Sequence, residues 1–384
     1  MMLFLVGSAF SLTLQEAVDR AVTVDANAVI TQLQARQARL TAAEDWSVGG
    51  VTPSVAVSRT FVGGATADST NFSVRSGVLD APKWFAAAQA SSQARAAHWV
   101  AEGGQLDAQY AVALLYFGVL SAEAAQAASI AGEEAAEGTL AAVNTRVAAG
   151  LDSELIVRRA NAAALLARGR RAQADADLEV SKLQLARALQ LDSLDGVSQP
   201  SELALPDAES ASPYLAAADA TVEAARLEHA REIARLFPVG SLSAGTPLSP
   251  TDWSVTLGAT WTFEGVVGGV FRERSSALGV QIAEVQRDAT RRDIALGIAV
   301  ATKQARAAVA VAEAAAAREE LASESLKVGQ TRLAAGLTSA IEVLLLQDEL
   351  AVARADRVAS DFAAQSSILE ARQLAGMPWG SGQH

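Results

Sequence analysis

Three histidines are the only imidazoles in the 384-residue chain: His98, His229 and His384. Each stands alone, without a second ligand at metal-binding spacing, so none builds a zinc or catalytic centre. There are no cysteines, which removes disulfides, thiolate catalysis, Cys metal sites and a Cys-linked lipid anchor. No nucleophile elbow occurs, and no carboxylate pair falls in a plausible cleft. The glycine cluster Gly265-Val266-Val267-Gly268-Gly269 lacks the lysine of a phosphate loop and the strand–helix setting of a dinucleotide site. It reads as a strand-to-helix corner. The residue types of enzyme chemistry are present without the spacing it needs, so the chain reads as a non-enzyme with no metal and no cofactor.

What repeats instead is a turn. Thr145-Arg146-Val147-Ala148-Ala149-Gly150-Leu151-Asp152-Ser153 returns as Thr331-Arg332-Leu333-Ala334-Ala335-Gly336-Leu337-Thr338-Ser339, 186 positions later. Each copy joins two Ala-rich helical runs. A glycine just past the last helical residue can take the left-handed conformation that closes a helix. The Asp, Thr and Ser that follow are N-caps for a new helix. The pattern predicts two tight helical hairpins and an internal duplication.

Composition agrees with long helices better than with a wide core. Hydrophobic residues make up 51% of the chain but aromatics only 5%. Alanine inflates the first figure, and Ala-rich helices pack along narrow seams, as in bundles and coiled coils. The formal net charge of -12 argues against nucleic acid as a partner. Residues 1–11 are apolar and end in small residues, so they read as the end of a signal peptide without its basic start. No apolar run is read as a membrane-spanning helix.

In chain order, the first repeat covers 12–191. Its first helix opens at the capping-box pattern Thr13…Glu16 and runs to about Trp46. A β-hairpin at 53–79 follows, with Gly63 to Asn71 read as its loop by composition. A long helix at 84–147 comes next, roughly 90 Å at the usual rise, and then a helix at 152–191. The linker 192–213 carries Pro200, Pro206 and Pro213. The second repeat, 214–376, has the same order: a helix, a β-hairpin at 239–263 with its loop at Gly245 to Asp252, a long helix at 271–333 and a helix at 339–374. Residues 377–384 form a C-terminal tail. Four open strands leave edges that must be covered or paired. Closure into a barrel shared by several copies removes them.

With its duplicated turns, its Leu12-Thr13-Leu14-Gln15-Glu16-Ala17 opening, the Pro53 entry to the first strand and the endings Ala186-Arg187-Ala188-Leu189 and Ala371-Arg372-Gln373-Leu374, the chain resembles the TolC-like outer membrane efflux family. The resemblance implies an α+β membrane protein that forms a homotrimer. Each protomer would add four strands to a twelve-stranded barrel in outer-membrane lipid and long helical hairpins to a periplasmic α-barrel. It implies that the turns are periplasmic tips docking an adaptor protein, and through it an inner-membrane transporter. That places Arg146, Gly150, Leu151, Ser153, Arg332, Gly336, Leu337 and Ser339 at the adaptor interface. The two arginines also have a plainer role as helix-end caps.

The family's acidic iris maps onto Glu342, a carboxylate ring in a trimer or else a solvated helix-start glutamate. Its second acidic position is Leu345, and its expected basic residue is Thr338, so the closed-state lock departs from the pattern. Phe61, Phe72, Trp253, Trp261 and Phe263 are candidates for aromatic belts at the membrane interfaces. The resemblance implies a passive channel for small-molecule efflux, located in the outer membrane and reaching into the periplasm. A channel for type I protein secretion is an alternative, and a non-channel coiled-coil scaffold is another.

Overall fold

The computed structural model describes residues 12–48, 51–62, 65–76, 80–200, 203–205, 212–247, 254–260, 265–377 and 379. The 1–11 segment and His384 lie outside them. The elements in order are α1 (Leu14–Val24), α2 (Ala26–Val48), β1 (Val51–Val62), β2 (Ala65–Ser76), α3 (Ala81–Ala148), α4 (Glu154–Ala188), α5 (Pro213–Ala234), β3 (Val239–Pro247), β4 (Ser254–Thr260), α6 (Gly265–Ala334) and α7 (Ala340–Leu374). Long helices dominate: α3 has 68 residues and α6 has 70.

The helix starts follow local chemistry. Thr13 and Glu16 close a reciprocal capping box on α1: the Glu16 amide donates to Thr13 Oγ1 at 3.3 Å, and the Thr13 amide donates to Glu16 Oε2 at 3.0 Å. The single first helix expected from the sequence is in fact two. Asp25 breaks it with an extended ψ of 124°, and its carboxylate then caps α2 by accepting from the Ala28 amide at 2.8 Å. An aspartate that can accept from a backbone amide three residues on competes with the helix it interrupts.

The four strands form one antiparallel sheet in the order β1-β2-β3-β4. β1 and β2 pair along their whole lengths, from Val51↔Ser76 to Val62↔Ala65. This corrects the loop expected at Gly63 to Asn71, because Ala65 to Asn71 belongs to β2. Its polar, turn-like composition is overruled by a complete ladder of partners on β1. Likewise Gly245 to Pro247, assigned to the second loop, closes β3. β2 joins β3 from Asn71↔Pro247 to Ser76↔Leu242, so the sheet unites the two repeats. The Gly265–Gly269 corner is instead the first turn of α6.

The chain divides into two compact units: Met1–Ala28, Gln105–Ser210 and Ala295–His384 in one, Val29–Gly104 and Ala211–Ile294 in the other. In the first, buried Leu14, Ala17 and Val18 of α1 pack with Tyr116 and Phe117 of α3 and Leu185 of α4. The linker is tied down there. Leu12 bridges Val197, and its carbonyl accepts from the Ser198 amide at 3.0 Å. Arg20 Nε donates to the Leu189 carbonyl at 2.7 Å, and Arg372 Nη1 donates to the Ala204 carbonyl at 3.1 Å. A second cluster gathers nearer the turns, with Val143, Leu326, Leu333 and Val343 at its centre.

In the other unit, Trp46 meets Trp84 edge-on at 5.6 Å and donates to Ser91 Oγ at 2.9 Å. Arg95–Glu223 at 2.7 Å and Arg226–Glu284 at 2.6 Å link α5 to its helical neighbours.

One composition-based expectation is also corrected. α3 and α6 each hold a stretch with mean hydropathy 1.4, long and apolar enough by composition to cross a membrane. Those stretches lie in helices about three times the length a bilayer needs.

Candidate functional site

The two duplicated turns have the same backbone. Gly150 and Gly336 both have φ of +73°, the left-handed conformation in which a side chain is strained. In the first turn the Gly150 amide donates to the Val147 carbonyl at 2.9 Å, and the Leu151 amide to the Arg146 carbonyl at 2.9 Å. In the second, Gly336 donates to Leu333 at 3.0 Å and Leu337 to Arg332 at 2.8 Å. Each is a Schellman closure. It leaves the leucine after the glycine facing solvent, Leu151 at 66% exposure and Leu337 at 73%.

The side chains then differ. Arg146 Nε holds Asp152 Oδ2 at 2.6 Å, and its Nη1 donates to the Leu333 carbonyl at 3.1 Å. The guanidinium therefore neutralises its own turn and caps the end of α6. The side chain of Arg332, its counterpart, makes no hydrogen bond or ion pair among the described residues, because Thr338 stands where Asp152 stands in the first turn. Thr338 instead donates its hydroxyl to Glu342 Oε2. Ser339 caps α7 by accepting from the Glu342 amide at 3.3 Å, whereas Ser153 makes no side-chain cap bond. Glu342 is exposed and drawn back onto its own turn. Leu345, one turn further on, is 67% exposed.

Farther along each hairpin lies an ion-pair network that occurs twice. Arg171 and Arg168 hold Glu133 in the first copy, at 3.0 and 3.4 Å. Arg357 and Arg354 hold Glu319 in the second, at 2.8 and 3.4 Å. The carboxylates raise the pKa of Arg168, Arg171 and Arg357 above the ordinary value, chiefly through the hydrogen bonds that these arginines donate to Glu137, Glu133 and Glu319 respectively. Between the hairpins, Gln347 Nε2 of α7 donates to the Ala135 carbonyl of α3 at 2.8 Å and to Thr139 Oγ1. It stands at one end of an open cleft of about 480 Å³ lined mainly by alanines, with Arg170 and Leu166 of α4 on the other wall.

The structure thus brings Arg146, Gly150, Leu151 and Ser153 together at one turn and Arg332, Gly336, Leu337, Ser339 and Glu342 at the other. In the sequence Asp152 and Thr338 read as helix caps, and Thr338 also as the place of the absent basic residue, while Gln347 is not singled out. Asp152 and Thr338 were legible as a mismatch between the two turns, whereas Gln347 carried no local signal. Of the aromatic candidates, Phe61 and Phe72 occupy β1 and β2, opposite Thr66 and Val55. Trp253, Trp261 and Phe263 lie outside the described residues. His98 pairs with Glu102 at 3.3 Å, and His229 Nδ1 lies 2.9 Å from Ser276 Oγ. No metal-binding group of three His, Cys, Asp or Glu occurs among the described residues.

Known structures resemble this chain over nearly its whole length. The outer membrane channel MtrE of Neisseria gonorrhoeae aligns with 17% identity over 94% of this chain and 88% of its own, with a TM-score of 0.79. The outer membrane protein VceC of Vibrio cholerae aligns with 17% identity over 94% and 96%, with a TM-score of 0.77. CusC, whose structures concern folding and transmembrane channel formation, aligns with 15% identity over 97% and 95%, with a TM-score of 0.80. No protein-family profile and no curated protein matches the sequence. The class defined by this architecture is the outer-membrane channel fold. The TolC-like resemblance read from the duplicated turns holds at the level of that fold.

Proposed function

We propose that the chain is one protomer of a trimeric outer-membrane channel that spans the periplasm and serves a tripartite efflux system for small molecules. The observation that carries this is a four-stranded sheet whose edge strands β1 and β4 pair on one side only among the described residues, in a chain built throughout like known outer-membrane channels. Three copies joined edge to edge make a closed twelve-stranded barrel, the arrangement in which every strand in lipid finds a partner. The helical hairpins continue as a periplasmic tube. The turns at Gly150 and Gly336 form its tip, where exposed Leu151 and Leu337 meet a periplasmic adaptor. Glu342, three times over, lines the constriction behind the tip.

The chain performs no chemistry in this reading. It offers a water-filled conduit, and an inner-membrane transporter reached through the adaptor supplies the energy and selects the cargo. Purified protein reconstituted in planar bilayers is expected to give discrete conductance steps and to run as a heat-sensitive trimer. A water-soluble monomer that forms no pores would overturn the proposal. In the native host, deletion is expected to raise accumulation of small toxic compounds. Loss of a secreted protein instead would select type I secretion.

A further inference from the structure

Between the ion-pair networks and the turns, the two hairpins correspond residue for residue at an offset of 186, as Glu133/Glu319 and Gly150/Gly336 show. Contacts that run from the first repeat to the second within one chain therefore have an equivalent that runs from the second repeat to the first. Inside a single chain that equivalent does not form. Gln347 reaches Thr139 and the Ala135 carbonyl. Its counterpart Asn161 is exposed, and the counterparts of the acceptors, Ser325 and Leu321, stand unmet by it, with Leu321 66% exposed. The sequence carries an amide and a hydroxyl at both pairs of corresponding positions. Arg146 reaches the Leu333 carbonyl. Its counterpart Arg332 is free among the described residues, and the counterpart carbonyl, Val147, receives only its own turn's bond from Gly150.

From this we infer that a second copy of the chain completes these half-made contacts. Asn161 of one copy donates to Ser325 Oγ and the Leu321 carbonyl of the next, and Arg332 of one copy caps the Val147 carbonyl of the other. The inference rests on the trimeric reading and specifies its helical interface. A ring that alternates first and second hairpins has one kind of junction within each copy and a near-equivalent kind between copies. Cyclic closure by a heterologous contact needs this: a donor set on one side of the chain and its acceptor set on the other. The duplicated sequence supplies both sets.

The absence of cysteine makes the test direct. The double variant Asn161→Cys/Ser325→Cys, treated in outer membranes with a short bismaleimide, is expected to give covalent dimers and trimers on a denaturing gel. Thr139→Cys/Gln347→Cys places the same chemistry at the junction within one copy and is expected to stay at monomer mobility. Asn161→Ala and Arg332→Ala should each shorten the lifetime of the detergent-resistant trimer severalfold, while Asn161→Gln, which copies Gln347, preserves it. If the control pair links within the monomer, pores form, and Asn161→Cys/Ser325→Cys yields no intermolecular product, the inference is overturned and the channel reading stands. If the protein forms neither pores nor trimers, the channel reading falls and the inference falls with it.

Discussion

Arg171 and Arg357 hold equivalent carboxylates with the same atoms. Arg171 Nη1 lies 3.0 Å from Glu133 Oε2, and its Nε lies 3.8 Å from Asp175 Oδ2. For Arg357 the partners are Glu319 Oε2 at 2.8 Å and Asp361 Oδ2 at 3.6 Å. Both networks fasten a long helix to its shorter hairpin partner at the same distance from the tip. They fix register along Ala-rich seams that offer few large side chains to do so.

That equivalence predicts matched effects. Glu133→Gln and Glu319→Gln should each lower the melting temperature in detergent by a small, equal amount, about 1–3 °C, because three of the four arginines are about half exposed and screened. The difference from wild type should shrink as salt rises. Unequal shifts, or shifts indifferent to salt, would count against a shared register role.

At the tips, alanine in place of Gly150 or Gly336 must sit at φ of +73°, a strain of about 1–2 kcal/mol. Hydrogen exchange at the Leu151 or Leu337 amide should accelerate by about tenfold, since that amide makes the closing bond of the turn. Bilayer conductance should be unchanged, and coupling to the adaptor should weaken. Unchanged exchange would show that the turn does not depend on the glycine.

Arg146→Ala removes a side-chain hydrogen bond that ties the first turn to the end of α6, and it leaves the largely buried carboxylate of Asp152 unpaired. A loss of about 1–3 kcal/mol of local stability is expected at that tip. The open fraction of single channels should rise. Arg332→Ala should not change protection at its own turn within a monomer, since no intrachain bond is lost. Equal effects of the two substitutions on isolated monomers would contradict the asymmetry.

Glu342→Ala should relieve divalent-cation block of the channel and raise its resting conductance, because a ring of carboxylates at a constriction concentrates cations. Thr338→Val frees Glu342 from its own turn and should strengthen the block. Conductance and block indifferent to both substitutions would place Glu342 outside the conduction path.

Glu16 has a carboxyl held below the usual glutamate range by its backbone and side-chain hydrogen bonds with Thr13. Because the folded-state pKa is depressed, the stability it contributes is present above the unfolded pKa of about 4.3 and fades as pH falls through the lower folded value. Glu16→Gln should lose that increment at neutral pH, flatten the acid limb of the melting curve and converge on wild type at low pH. An identical acid limb in the variant would remove the capping box from the account.

The sequence alone determined what depends on neighbours a few residues away. Glycine followed by leucine and a capping residue specifies a closed helix end wherever it occurs, and Gly150 and Gly336 both take the left-handed conformation. Alanine periodicity specified long helices, and the offset of 186 specified a duplication. Tertiary structure decided what depends on distant partners. Ala65 to Asn71 is a strand because β1 supplies its hydrogen bonds, although its composition is that of a loop. Arg146 and Arg332 are identical letters in near-identical turns, yet only one is neutralised. The difference comes from Asp152 against Thr338, and from a carbonyl 187 positions away that Arg146 alone can reach.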